Sequence, residues 1–214
     1  MFNSIVFALL RLFMPWQLEK FRLRISDVRK KYLSETSKHP ISKIFCETLI
    51  VAEDKRFIRH NGVDIRGLSR ALYRTIFLRK IEGGSTIEQQ LVRTLMGWYE
   101  KTIFRKMKEI CFALVVSKFV PKHEVAYIYL FIAYFGWKMN GIHQTCNTLN
   151  INPFGISSQV AAEVVARLKY PQPRIMTKER GLLIARRADH IKHIYNQAYR
   201  TRINDETVLV PQVP

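Results

Sequence analysis

Three short stretches of the chain gather reactive residue types at fixed spacings. The first is EDKRFIRHNGVD, residues 53–64: Glu53 and Asp54 end an apolar run and are followed by Phe57, His60, Gly62 and Asp64. Two carboxylates at a helix C-terminus sit against the negative end of its dipole, and Leu49, Ile50 and Ala52 would desolvate a Glu53 that turns inward. Both effects disfavour the charged form and suit a group that takes or gives a proton. Arg56 and His60 act in the opposite sense, and a surface carboxylate paired with Lys55 or Arg56 explains the same residues.

The second stretch is GGSTIEQQLVR, residues 83–93. Two glycines let backbone amides approach a ligand closely, and a helix opened by Ser85 would attract anions to its N-terminus. Ser85 with Glu88 also fits a capping box, which accounts for those two residues. It leaves Gln89, Gln90 and Arg93 without an explanation. The third stretch is RKMKE, residues 105–109, where Glu109 lies four residues after Arg105 and three after Lys106. One helix face then carries both signs of charge. Such a Glu is a poor proton donor but a fair group for holding a metal or orienting cations, and an exposed ion-pair face explains it equally.

The elements that must position these residues read as helices. Ile41 to Glu53 is periodic and follows Pro40; Asp64 to Arg79 is a basic amphipathic helix; Ser85 opens a helix running to about Met96. Arg105 to Phe119, Lys122 to Phe135, Ser157 to Leu168 and Lys178 to Tyr199 complete the set, and Val208 to Pro214 reads as a loose tail. No convincing alternating strand is found, so the expected class is mainly α. The uncharged run from Val125 to Trp137 falls short of the roughly 20 apolar residues a membrane span needs and reads as a buried helix.

At the N-terminus, Phe2, Ile5, Val6, Leu9, Leu12, Phe13 and Trp16 form an apolar stripe at helical spacing, with Arg11, Lys20, Arg22 and Arg24 nearby. The stripe suits a helix lying on an anionic membrane and equally a helix packed on the core. It is too short to span and lacks the charged start and cleavage site of a secretory signal.

Composition supports a folded body: 214 residues, 48% hydrophobic and 12% aromatic, which excludes a disordered chain. Thirty-five Lys and Arg against 17 Asp and Glu leave a net charge of +18, which favours an anionic partner such as nucleic acid, acidic lipid or a phosphorylated substrate. Cys46, Cys111 and Cys146 have no metal-ligand spacing and no disulfide pattern.

In order and spacing, EDxxFxxHxGxD, GGSTIxQQLVR and RKxKE resemble the first three signature motifs of glycosyltransferase family 51, the peptidoglycan transglycosylases. Lys122, Tyr129-Leu130 and Tyr134-Phe135-Gly136 resemble the fourth motif, and Arg186-Arg187 the fifth; the similarity runs from about Ile44 to Tyr195. Phe131 and Thr94 stand where the family usually has Asn.

The resemblance implies a lysozyme-like helical lobe with a small membrane-facing jaw, here between Asp64 and Gly84, where Leu72, Tyr73, Ile76, Phe77 and Leu78 lie beside Arg74, Arg79 and Lys80. It implies an N-terminal membrane-proximal segment over 1–40, a glycosyltransferase domain over 41–200 and a tail over 201–214, in a monofunctional arrangement. The implied reaction polymerises lipid II into β-1,4-linked glycan by inverting displacement of undecaprenyl pyrophosphate. Glu53 would be the general base, and Glu109 would handle the departing pyrophosphate, directly or through a divalent cation such as Mg or Mn. Arg93, Lys101, Arg105, Lys106 and Lys108 would stabilise the leaving group; Ser85, Gln89 and Gln90 would contact sugars and phosphates; Asp54 and Arg70 would shape the acceptor side. No organic cofactor is implied. The partners would be lipid II, the growing glycan, the membrane surface and other cell-wall synthesis proteins, at the outer face of the cytoplasmic membrane.

Two alternatives use the same residues. A lipid II-binding pseudoenzyme of the same fold would keep the ligand without turnover. A basic nucleic-acid binder would explain the charge but not the ordered carboxylate and Gln motifs, so no nucleic-acid partner is expected.

Overall fold

A chain rich in helical periodicity and poor in glycine should bury its apolar stripes helix against helix. The computed structural model describes residues 2–79 and 83–204. Within them run helices α1 (Phe2–Phe13), α2 (Pro15–Lys38), α3 (Lys43–Glu53), α4 (Ile65–Phe77), α5 (Ile87–Met96), α6 (Ile103–Val115) and α7 (Lys122–Ile132). A hairpin of strands β1 (Tyr134–Gly136) and β2 (Met139–Asn140) follows, then α8 (Ile142–Thr148), α9 (Ser158–Lys169) and α10 (Lys178–Asn204). The protein is mainly α. Lys80, most of the expected tail, and the side chains of Phe2 and Leu72 lie outside the described residues.

The chain divides into two compact units, Met1–Lys31 with Arg56–Ile128, and Tyr32–Lys55 with Tyr129–Pro214. Neither is continuous in sequence. In the first unit α5 and α6 pack together and α1 lies on α6. Its centre is aromatic: Phe21 of α2 meets Phe112 edge-on at 5.4 Å and Phe119 at 5.6 Å, and Trp98 meets Phe112 at 5.4 Å. Each fully buried phenyl contributes about 1.5–3 kcal/mol by leaving water, and edge contacts add about 0.5–1.5 kcal/mol. Gly62 is demanded here twice over. Its φ is +101°, and a Cβ would stand 2.2 Å from the carbonyl oxygen of Ala113 in α6.

In the second unit α3, α9 and α10 pack against one another. Buried Ala161, Ala162 and Ala166 keep one face of α9 thin, so that Phe45 and Leu49 of α3 and Ile191 of α10 fill the layer. Ser42 and Ser157 cap α3 and α9 by accepting from Ile44 N and Val160 N.

Several expectations need correction. The helix expected from Lys122 to Phe135 stops at Ile132, because the chain turns into the hairpin. Gly136 has φ +147° and lies so close to Gln172 that a Cβ would meet its carbonyl oxygen at 2.4 Å. Trp137 N donates to Gln172 O and Gln172 N to Phe135 O, pairing that long helical patterning cannot reveal. Most of α2, and all of α8, carry polar residues that mask the helical period. Among the described residues no helix is long and apolar enough to cross a membrane.

Candidate functional site

In the first unit the second and third sequence stretches meet. Thr86, not Ser85, caps α5: its hydroxyl accepts from Gln89 N at 3.3 Å and donates to Gly62 O at 2.7 Å. The expected Ser85–Glu88 capping box is therefore absent, and both side chains are released for other contacts. Thr102 caps α6 by accepting from Arg105 N. With the helices packed, Gln89 and Arg93, one turn apart on α5, face Arg105, Lys106 and Glu109 in the first turns of α6.

Glu109 is fully buried, which overturns the exposed ion-pair face. Arg93 clasps it with two bonds, Nε to Oε1 at 2.7 Å and Nη2 to Oε2 at 3.2 Å, and Arg105 Nη1 also donates to Oε1. Lys106 Nζ stands 3.8 Å from Oε2, donates to Ser85 Oγ at 2.8 Å and to Gln89 Oε1. Burial, with Arg93 and Arg105 adding to it and Glu109 opposing it, pulls the Lys106 ammonium down to about 8. Gln89 is fully buried, and among the described residues neither its Nε2 nor Arg105 Nε finds a hydrogen-bond partner. Three cations thus surround one carboxylate, with donors to spare. Such a cluster suits an anion.

It does not suit a metal at Glu109. Both carboxylate oxygens already accept from guanidinium groups, and a divalent ion would face three cations at contact range. Among the described residues, Glu109 belongs to no group of three His, Cys, Asp or Glu ligands. The expected divalent cation on Glu109 is not supported by this donor set.

The other expected residues are placed differently. Lys101 is exposed, and Lys108 turns its ammonium over Trp98 at 5.9 Å. Arg70 is exposed on α4, Gln90 is half-buried, and Thr94 donates to Gln90 O at 2.9 Å. A Cβ on Gly83 would meet open space, whereas on Gly84 it would press the Ala71 Cβ at 2.9 Å, so Gly84 serves packing on α4. α4 exposes Ile65, Tyr73, Ile76 and Phe77, and Leu78 just beyond its end is exposed too.

A second buried carboxylate was not foreseen. Glu88, read from sequence as part of a cap, pairs with Lys122, whose Nζ also donates to His60 O at 3.0 Å and lies 3.8 Å over the Phe57 ring. Burial pushes the Glu88 carboxyl up, against the pull of Lys122. The pair joins the first, second and fourth motifs. The signal was Lys122 in the polar first turn of a helix that is apolar from Val125 on, and its partner cannot be read from spacing.

In the second unit, Glu53 occupies the last turn of α3 and Asp54 its C-terminal end, buried, with its N–H donating to Ile50 O. Arg187 of α10 donates from Nη2 to Glu53 Oε1 at 3.0 Å and to Ala52 O at 3.1 Å. The guanidinium thus binds both one C-terminal carbonyl of α3 and the carboxylate. Arg187 was visible from sequence only as half of an Arg pair. Tyr195, two turns on, donates to Glu47 at 2.9 Å. Phe131 packs between the rings of Tyr32 and His143 at 6.2 and 6.1 Å.

A family model described as Transglycosylase matches residues 21–193. Penicillin-binding protein 1F of Bacillus subtilis is 41% identical over 103 residues, 48% of this chain and 14% of that protein. Penicillin-binding protein 1A of Rickettsia prowazekii is 32% identical over 161 residues, 73% and 20% of the two chains. A monofunctional glycosyltransferase of Staphylococcus saprophyticus is 39% identical over 98 residues, 46% and 36% respectively. In each case the match spans well under half of the relative's length.

Proposed function

The chain belongs to the transglycosylase family, and from that premise we propose that it polymerises peptidoglycan, transferring disaccharide units from lipid II to a growing β-1,4-linked glycan. The observation that carries the reading is the Arg93–Arg105–Lys106 cluster around buried Glu109, with Gln89 Nε2, unpartnered among the described residues, beside it. A displaced pyrophosphate gains negative charge, and cations already fixed in position stabilise that charge without reorganising. Glu109 acts by orienting Arg93, Arg105 and Lys106. Ser85, Gln89 and Gln90 contact sugar and phosphate oxygens, with Lys101 and Lys108 as outer cations; Asp54 and Arg70 shape the acceptor side.

Glu53 is the general base for the acceptor hydroxyl, and Arg187 positions its carboxylate. The displacement is direct and inverting: the α-linked pyrophosphate leaves as the β-1,4 bond forms. The apolar surface of α4, with the net charge of +18, supports work at an anionic membrane face; we place the reaction at the outer face of the cytoplasmic membrane, alongside other cell-wall synthesis proteins.

The test is incubation of purified protein with lipid-linked disaccharide-peptide, resolving polymer on a gel. Wild-type protein should give chains, and Glu53→Gln should reduce them by at least about 100-fold, the usual scale of a lost proton acceptor, with unchanged donor binding. Polymer made equally by Glu53→Gln would refute the base assignment. Donor binding without product in the wild type would make the protein a pseudoenzyme.

A further inference from the structure

The tip of the β1–β2 hairpin carries chemistry that the turn itself does not require. Trp137 and Lys138 are the two residues between the paired Gly136 and Met139. A two-residue hairpin loop favours Asn, Asp or Gly, which accept positive φ readily. Lys138 instead takes φ +56°, in the left-handed region that its side chain disfavours. Trp137 is 42% exposed, where an indole is ordinarily well covered.

Two cations lie over that indole. Lys138 Nζ stands 4.6 Å from the ring centroid and the Arg174 guanidinium carbon 5.4 Å. Among the described residues neither pairs with a carboxylate. The arrangement is held rigid from behind. Trp137 N donates to Gln172 O at 2.8 Å and Gln172 N to Phe135 O at 2.9 Å, while Arg167 Nε fixes the Gln172 side chain at 2.9 Å. Ile175 and Met176, next along the chain from Arg174, are 79% and 44% exposed.

Trp, Arg and Met are the residues over-represented where one protein anchors another. The occupant must bring negative charge, because two unneutralised cations on one ring repel each other and any further cation. It must also bring apolar side chains, to cover Ile175 and Met176. A second copy of the chain, at +18, is disfavoured by charge. A lipid surface is met by basic side chains that reach away from the protein, whereas Lys138 and Arg174 fold back on a ring whose backbone is fixed.

We propose that the hairpin tip and residues 174–176 form a docking site for an acidic segment of a partner protein. Carboxylates of the segment pair with Lys138 and Arg174, and its apolar side chains cover Trp137, Ile175 and Met176. The inference stands on this geometry, independently of the reaction assigned above.

The experiment uses the full chain and a fluorescently labelled hexapeptide, Leu-Phe between two pairs of Asp or Glu, followed by anisotropy. Binding should weaken with added salt. It should fall at least about tenfold when Asn and Gln replace the acids, or when Ser-Ser replaces Leu-Phe. Trp137→Ala and Arg174→Gln should each weaken it at least about tenfold, and Lys138→Arg should retain it. Lys138→Gly is the discriminating variant: glycine accepts the left-handed backbone, so the protein should melt no lower while the peptide binds several-fold more weakly. A merely structural Lys138 would leave binding unchanged in that variant, which would overturn the proposal. So would absence of peptide binding by the wild type, or equal binding by Arg174→Gln. Binding of phosphatidylglycerol vesicles that Arg174→Gln abolishes, without peptide binding, would also overturn it and assign the site to lipid.

Discussion

Lys106 should give the reaction an alkaline limit. Its ammonium is pulled down to about 8 by burial and by two neighbouring guanidiniums, and its charged form is the one that meets an anionic leaving group. A lysine loses charge as pH rises, so activity should fall on the alkaline side. With a midpoint near 8, about 90% of the free enzyme carries the charge at pH 7 and about 10% at pH 9, a ninefold loss. The quantity to follow is kcat/KM for polymer formation from pH 6.5 to 9.5, because it reports groups in the free enzyme. In kcat the limb should move upward, since a bound pyrophosphate favours the protonated amine. Lys106→Arg keeps its charge throughout and should flatten the limb at the cost of some rate, because a guanidinium fills the space between Ser85 and Gln89 differently. Lys106→Met should be slow and flat. A wild-type profile level from pH 7 to 9, or the same limb in Lys106→Arg, would refute the reasoning.

Three further expectations follow from the packing. Lys122→Met strands Glu88, whose side chain is only 3% exposed; the cost should be about 3–5 kcal/mol, and the double variant Glu88→Gln/Lys122→Met should be more stable than the single, a ranking that urea unfolding checks. Gly62→Ala should lose about 3 kcal/mol or more, while Gly97→Ala, at φ +70° but with open space around its Cβ, should lose about 1 kcal/mol, so their melting temperatures should differ by several degrees. Titrating the free enzyme with millimolar manganese should leave its melting temperature within about 1 °C, because Arg93 and Arg105 occupy both oxygens of Glu109; a rise of several degrees that Glu109→Gln removes would put a metal there after all.

The legible part of this protein is the part whose signal is local. The i, i+4 and i, i+3 spacing of Arg105 and Lys106 to Glu109 is a property of one helix, and it appears in the structure as read. The periodicity of α3, α4, α6, α9 and α10 likewise sufficed to find them. What escaped depends on partners distant in sequence. Arg93 reaches Glu109 only because α5 packs on α6, and that contact converts an ordinary surface pair into a buried carboxylate. Glu88 satisfied a capping pattern with Ser85, yet Thr86 one residue on had the backbone of Gly62 within reach and took the cap. The β1–β2 hairpin is held by Gln172, far along the chain, so the apolar run before it looked like unbroken helix.

Two buried glutamates of the first unit, Glu88 and Glu109, separate structure from chemistry by charge count. Glu88 and Lys122 close on each other one to one, with a carbonyl and an aromatic face taking up the remaining donor capacity of the amine. A one-to-one pair of this kind carries no excess of cations, and among the described residues Glu88 Oε2 accepts no hydrogen bond. Glu109 is outnumbered three to one, and its cations are 18–29% exposed while it is fully buried. One negative charge cannot satisfy that set, so the excess is displayed toward solvent and held rigid from behind. Removing the carboxylate should therefore harm the reaction by releasing the cations from their positions, even though the local positive charge would rise. Glu109→Gln should keep much of its affinity for inorganic pyrophosphate while losing most of its polymer formation. If affinity and turnover instead fell in parallel, Glu109 would contact the substrate itself, and its role as the anchor of three cations would be wrong.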